Sequence, residues 1–349
     1  MPDCIYFAYP GDLDTPTGGY RYDRRLIAEL RQRGLKVETL SLPHCAPQPD
    51  PGSLPRITEM LAALPDQAVV IIDGLAFGVL DTVAEVEAAR LRLVALCHHP
   101  LALESGLDES LQAQLLASER RALACARATL VTSAHTRRLL VEQFALPHEK
   151  ITVALPGTEL AGFAPCSGKP PLLLTLASLT PRKAHDVLLT ALAELKDLHW
   201  QARFVGDDSM APEWAAGLRR QVDELGLSER IQFAGAVADS LAEYQQADMF
   251  VLPSRFEGYG MVFAEALAAG LPVVAARAGA VPDVVPETAG LLVPPDDSAA
   301  LAAALRELLS HGSLRKDLQK GAQQAAANLP RWSDTGSIVA DLLNKVAQQ

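Results

Sequence analysis

Cysteine is scarce and scattered in this chain. Cys4, Cys45, Cys97, Cys125 and Cys166 lie far apart and no two form a C-x-x-C pair, which argues against a disulfide framework or a zinc site of ordinary spacing and fits reduced thiols. Surplus positive charge is lacking too. The formal net charge is −11, with 15 basic against 20 acidic residues up to position 165 and 16 against 22 beyond it. Neither half offers the basic surface that a nucleic acid requires, so no nucleic-acid partner is expected. Also missing is any apolar run near the ~18 residues of a membrane span. The opening "MPDCIYFAYPGD" carries an acid and prolines where a signal peptide has a basic end and a longer apolar stretch. The expected location is cytoplasmic, with at most peripheral contact at the inner membrane surface. No G-x-G-x-x-G follows either opening strand, which removes a dinucleotide-dependent oxidoreductase. Tandem repeats and low-complexity segments are absent.

What is there is a rhythm. The 349 residues, 49% hydrophobic and 21% charged, suffice for two domains of roughly 150 residues each. Short β-branched runs alternate with Ala/Leu-rich helical stretches, the pattern of parallel sheets covered by helices. Strands are predicted at "DCIYFAY" (residues 3–9), "LKVETLSL", "AVVIIDG", "LRLVALCH" and "ATLVTSA". After "PPLLLTLAS" the pattern restarts and continues through "WQARFVGD", "RIQFAGAV", "DMFVLPS", "LPVVAAR" and "AGLLVPP". The first helix is read as "YDRRLIAELRQRG", stopped by Gly34. The Pro- and Gly-rich "LPGTELAGFAPCSGKPPLL" is expected to be a hinge near 156–170. The expected class is α/β, with two doubly wound domains, 1–160 and 161–329, facing a cleft. A final helix at 330–349 is expected to pack back on the first domain. Ligands of such sheets bind beyond the carboxyl ends of strands, so the loops there hold the candidates.

One loop concentrates them. "PSRFEGYGMVFAEALAAGLPVV" is a strand end, a glycine-rich loop and a helix, with Glu257 and Glu265 on either side of Gly-Tyr-Gly. First-turn amides lack intrahelical partners and the helix dipole adds positive potential, so Gly260, Met261 and Val262 suit an anion such as phosphate. Gly258 and Gly260 allow close backbone approach. Glu265 stands roughly 7 Å along the helix, about the distance from a diphosphate to its ribose, and would accept from ribose hydroxyls. By spacing alone, two solvated acids on an amphipathic helix explain the pattern equally well.

The whole segment, together with "EKITVALPGTELAGF", "LASLTPRKAHDVLL", "ERIQFAGAV", "YQQADMFVLPS" and "TAGLLVPPDD" in that order, resembles the retaining family 4 glycosyltransferases, also called glycosyl transferases group 1, with the E-x7-E motif and the GT-B fold. The resemblance is densest from about residue 150 onward. It implies a hexosyltransferase that uses a nucleotide diphosphate sugar, UDP-glucose or GDP-mannose, without a divalent metal or other cofactor. The acceptor hydroxyl would belong to a lipid, glycan or small molecule bound by domain 1–160, while 161–329 would bind the donor. Carried over, Glu257 contacts the donor sugar, the backbone of Gly258, Tyr259, Gly260 and Met261 holds the phosphate, and Glu265 binds the ribose. The backbone near Gly235 and Val237 contacts the base. Lys183 matches the diphosphate lysine. The usual Gly-Arg is here Ala177-Ser178 and a usual glycine is Ala184, so neighbouring Arg182 is expected to supply the missing cation. These changes motivate an alternative, a catalytically impaired sugar-nucleotide-binding protein. Gly18 and Gly19 would form a loop on donor and acceptor, and His98 rather than His99 would face the reacting sugar.

Further expectations concern charges nearby. Arg21, Arg24 and Arg25 open a helix where cations are unfavourable, so one of them either faces an anion or all are solvated. Asp207-Asp208 are placed near the donor, and Asp296-Asp297 at a helix start. Around His98 no third ligand at helix or loop spacing is evident, so no metal is expected. A helix about Leu111 to Arg127, with Arg120 and Arg121, is considered for membrane contact.

Overall fold

The computed structural model describes residues 4–349 except Ser105, Ala161 and Ala238. Asp3 of the first predicted strand, the opening residues of the signal-peptide argument and Ala161 of the predicted hinge lie outside the described residues. The chain forms two compact units, one made of the chain up to Gly157 together with Pro330–Gln349, the other of Thr158–Leu329.

The first unit holds six parallel strands: β1 Ile5–Pro10, β2 Val37–Leu42, β3 Val69–Asp73, β4 Arg92–Cys97, β5 Ala128–Val131 and β6 Ile151–Val153. Their order is β2-β1-β3-β4-β5-β6. β6 was not predicted, because three residues before a proline turn give too short an apolar run to register. β3, all five residues buried, and β4 are covered on both faces, which is why they read as continuous apolar runs rather than alternating ones. Two of this unit's helices, Glu109–Cys125 and Ala134–Phe144, are capped by the residue that precedes them. Asp108 accepts from Leu111 N at 2.8 Å, and Ser133 from Thr136 N at 2.9 Å.

The first helix departs from expectation. It spans Gly18–Gln32, starting before Tyr22, because the Thr17 hydroxyl accepts from Tyr20 N at 3.3 Å and so caps a turn that includes both glycines. Gly18 and Gly19 are thus the first helical turn, not a free loop.

The second unit has β7 Leu172–Leu176, β8 Gln201–Val205, β9 Ile231–Gly235, β10 Met249–Leu252, β11 Val273–Ala276 and β12 Gly290–Val293. They are again all parallel, in the order β12-β11-β10-β7-β8-β9. Its core lies on both sheet faces. Trp200, Phe204 and Leu218 belong to one cluster, Phe250, Phe263 and Leu267 to the other. Trp200 also donates its indole N–H to Leu195 O at 2.8 Å, so the largest buried side chain carries no unmet donor.

The last helix, Trp332–Ala347, completes the first unit. Thr335 Oγ1 donates to Leu155 O at 2.6 Å, Arg33 Nη2 donates to Ser337 Oγ at 2.8 Å, and the Arg25 guanidinium lies 5.4 Å from the Trp332 ring centre. Gly157 makes this junction possible. A Cβ there would fall 2.1 Å from Trp332 N. Gly157→Ala is accordingly expected to lower stability by about 2 kcal/mol, as overpacking does, read as a lower urea midpoint; an unchanged midpoint would show that the junction yields freely.

Candidate functional site

An open, doubly wound sheet has one place where successive crossovers leave neighbouring strands in opposite directions, and the loops there stand uncovered. In the second unit that place lies between β7 and β10, adjacent although β8 and β9 intervene in sequence. The turn after β7 carries Arg182 and Lys183, and the loop after β10 carries Glu257. Lys183 Nζ lies 2.6 Å from Glu257 Oε1, and Arg182 Nη1 lies 3.5 Å from Glu257 Oε2. Glu257 is only 5% exposed. Burial alone would raise its pKa; the charges of Lys183 and Arg182 outweigh that and hold the carboxyl below the usual glutamate range. It is an ionised acid in a dry place, with two cations as the reason.

The backbone there is tightly set. Ala280 N donates to Glu257 O at 2.9 Å, and a Cβ on Gly279 would fall 2.1 Å from that same oxygen. Gly260 has φ +86, and a Cβ on it would strike the Phe263 ring, so this N-cap position admits glycine for two separate reasons. The helix Met261–Ala268 starts here, with Phe263 N donating to Gly260 O at 2.9 Å. Gly258, Met261 and Val262 are partly exposed, and Tyr259 is buried, which pushes its phenol up to about 12. Glu265, one turn further, accepts from the Tyr244 hydroxyl on Oε2 at 3.0 Å. Gly235 and Val237 stand at and just beyond the end of β9. They lie three strand positions from β10, or about 14 Å at ~4.8 Å per spacing.

In the first unit the corresponding reversal lies between β1 and β3. His98 follows β4 and turns its Nε2 toward Asp23 Oδ1 at 3.0 Å and Asp73 Oδ2 at 3.5 Å. Asp73 ends β3, where its Oδ1 also accepts from Leu75 N at 2.8 Å. Asp23 lies on the helix after β1. A Cβ on Gly19 would sit 3.4 Å from the His98 ring, so the glycine leaves the imidazole its space. Tyr22 meets His98 edge-on at 5.2 Å and Trp332 at 5.6 Å. Asp23 and Asp73 are 0% and 1% exposed. Burial alone would depress the imidazolium; the two carboxylates reverse that and carry His98 up to about 10. Burial drives Asp23 up to about 7, with His98 opposing and Asp73 adding to the rise.

Asp23 and Asp73 escaped the sequence reading. Asp73 gives a signal, an acid closing the wholly apolar run "VVII"; Asp23 gives none among its arginines. With His98 they bring three donor atoms within 4.8 Å of one another, so the argument that no third metal-type ligand stands near His98 does not hold in the fold. The imidazole is nonetheless engaged in a 3.0 Å ion pair, and we read the cluster as that pair with a second acid behind it.

Other charged residues named from the sequence have partners within their own unit. Arg24 donates to Leu13 O and Arg25 covers Trp332, so these two serve the first unit's own packing. Asp208 pairs with Arg219 at 2.6 Å and Asp207 accepts from Ser209 Oγ at 2.7 Å. Asp297 accepts from Ala300 N at 2.8 Å as a helix cap, while Asp296 lies in a left-handed turn. The helix considered for membrane contact spans Glu109–Cys125. Leu115 and Leu123 are buried, Arg120 donates to Gln143 O at 2.9 Å and Arg121 is paired with Asp81. Its exposed positions are polar residues and alanines, with no large apolar side chain among them. Among the described residues no helix is long and apolar enough to cross a membrane.

Residues 170–311 match the sequence family described as "Glycosyl transferases group 1". Among curated proteins, the chain is 32% identical over 191 residues to the GDP-mannose-dependent alpha-(1-6)-phosphatidylinositol monomannoside mannosyltransferase of Mycolicibacterium smegmatis, covering 51% of this chain and 48% of that one. It is 31% identical over 262 residues to the D-inositol 3-phosphate glycosyltransferase of Saccharomonospora viridis, covering 69% and 60%. The matches thus span about half to three fifths of these relatives' lengths. Among solved structures, sucrose-phosphate synthase from Thermosynechococcus elongatus aligns with TM-score 0.81 at 22% identity over 98% of both chains. Anabaena HepE in complex with UDP-glucose aligns with TM-score 0.77 at 20% identity, over 97% of this chain and 99% of that one. At such identities the likeness shows the GT-B fold alone.

The His98 cluster yields a test. Both His98 and Asp23 hold protons in the folded state that the unfolded chain would release: the His98 contribution is full below about pH 6.5 and is lost as pH rises toward about 10, while that of Asp23 is full only below its unfolded carboxylate range and is lost as pH rises through about 7. In Asp23→Asn the His98 pKa should drop by roughly two units or more toward its ordinary value, followed by NMR titration of the ring; a pKa that stays near 10 would contradict this account.

Proposed function

The segment 170–311 belongs to the glycosyl transferases group 1 family, and from that premise we propose that the protein moves a hexose from a nucleotide diphosphate sugar to an acceptor hydroxyl, with retention and without a metal. The observation that carries this reading is the Lys183–Glu257–Arg182 group at the reversal between β7 and β10. Two cations against one carboxylate leave net positive charge where a diphosphate would lie. A leaving diphosphate gains negative charge as the sugar bond breaks, and cations already fixed in place stabilise that transition state more than the ground state.

Lys183 and Glu257 act as each other's placeholders in the free protein. When a donor binds, Lys183 turns to the phosphate, and the freed carboxylate of Glu257 accepts from sugar hydroxyls. Met261, Val262 and the glycine-lined backbone before them offer amides to the diphosphate, while Glu265, held by Tyr244, takes the ribose. Gly235 and Val237, about 14 Å away by strand spacing, meet the base, a separation suited to one nucleotide. Glu257 and Glu265 are binding and orienting groups, so the site does not follow the paired-carboxylate logic of glycosidases. The first unit would bind the acceptor, with His98 presenting an imidazolium.

Two donors suit the comparisons, UDP-glucose as bound by HepE and GDP-mannose as used by the mycobacterial relative. The acceptors named for the relatives, an inositol phosphate and a phosphatidylinositol mannoside, are the first to try. Thermal denaturation in UDP, GDP, ADP and their sugars selects the donor, because a ligand at 100 times its dissociation constant adds about 2.7 kcal/mol. No shift with any of them removes the proposal, and tight binding without transfer or hydrolysis favours the impaired binding protein. Glu265→Ala should weaken plain UDP or GDP binding about tenfold, the worth of one charge-assisted hydrogen bond. Glu257→Ala should mainly lower transfer and sugar discrimination. Equal losses of nucleotide affinity in both variants would refute this division of labour.

A further inference from the structure

We infer that Arg255 is a positioning residue, a clamp that fixes the turn bearing Lys183 and thereby decides where the lysine ammonium meets a diphosphate. The inference rests on the proposed function for its purpose and on this unit's geometry for its existence.

Two non-glycine residues close to the site hold left-handed backbone, Ala184 at φ 52 and Asp296 at φ 58. Such a conformation is costly for a residue with a side chain and persists only where its surroundings over-determine it. Arg255 provides those surroundings for both. Its Nη2 and Nη1 reach Asp186 Oδ2 and Oδ1 at 2.8 and 3.2 Å, its Nε donates to Asp296 Oδ1 at 2.7 Å, and Nη1 also donates to the Pro181 carbonyl. Its backbone N–H donates to Arg182 O at 2.8 Å, and Arg182 Nη1 returns a bond to Phe256 O at 3.0 Å. One planar guanidinium therefore ties together the segments following β7, β10 and β12. Lysine's compact ammonium lacks the planar fork that grips both oxygens of Asp186 while a further N–H reaches Asp296.

Arg255 is not itself a phosphate ligand on this geometry. Two carboxylates already surround it, so the group is net negative apart from its neighbours Arg182 and Lys183. Nor is it chiefly a source of stability. Arg255, Asp186 and Asp296 are 27%, 29% and 55% exposed, and pairs that open to water contribute little to stability. What the arrangement supplies is direction: with Pro181 O, Arg182 O and Asp186 all held, the short turn Pro181–Lys183 has one way to present Lys183.

Hydrogen exchange of Arg255→Lys decides the matter without any ligand. The amides of Lys183 and Ala184 donate to Thr180 O and Pro181 O at 3.0 and 3.1 Å. They should exchange about tenfold faster in the variant, the mark of a local opening, while amides of β7 and β10 keep their rates. Unchanged exchange at 183–184 overturns the clamp, and so does equal acceleration throughout the sheet, which would mean a purely structural role. In a second arm, affinity for UDP or GDP should fall about tenfold in the variant while affinity for the matching nucleoside stays the same; equal loss for both overturns the positioning role. Should the unaltered protein bind no nucleoside diphosphate, the proposed function fails, and the exchange rates still decide whether Arg255 holds the turn.

Discussion

Winding a parallel sheet in both directions imposes a reversal, and at a reversal the helices part and leave strand ends bare. The charged groups at the centre of both candidate sites lie close to such a reversal. In the second unit β7 delivers Lys183 and β10 delivers Glu257, brought side by side from 74 residues apart. In the first unit β1 and β3 flank the break, and the helix after β1 supplies Asp23 while the end of β3 supplies Asp73. Topology places these groups; their chemistry then follows from burial and from which charges meet.

The two reversals treat buried acids in opposite ways. Glu257 has cations in excess and is kept ionised. Asp23 is raised chiefly by its burial, with Asp73 adding to the rise, while the two acids together raise His98 and favour its imidazolium form. Both arrangements store charge that a dry site could not keep unpaired. Around Glu257 the exposed network of Arg255 adds little energy and much geometry, and the two left-handed residues beside it mark how closely that geometry is specified.

Much of this was legible in the sequence wherever the signal was local. Among the described residues eleven of twelve strands announced themselves as apolar runs; β6 did not, being three residues long. Glu257 and Glu265 were noticed because a strand, a glycine loop and a helix follow one another along the chain, and Lys183 because it matches a lysine of the family that the chain resembles. The Asp23–Asp73–His98 cluster was not, since its members stand 25 to 75 positions apart and only the sheet order joins them. Gly18 and Gly19 were misread as a loop because glycine is a poor helix former and the single hydroxyl of Thr17 overrides that preference. Arg255 escaped the sequence reading, for nothing in "PSRFEG" discloses that two aspartates from other segments converge on it.

The first unit is built from two stretches of chain with the whole second unit threaded between them. Trp332, which backs Tyr22 and through it His98, is separated from those residues by more than 230 positions. A ribosome working at about 5–20 residues per second therefore releases His98 many seconds before the side chain that will support it. During that interval the second unit can fold, while the first waits with the seat of its last helix open. The half of the molecule that is made first is the half that is finished last.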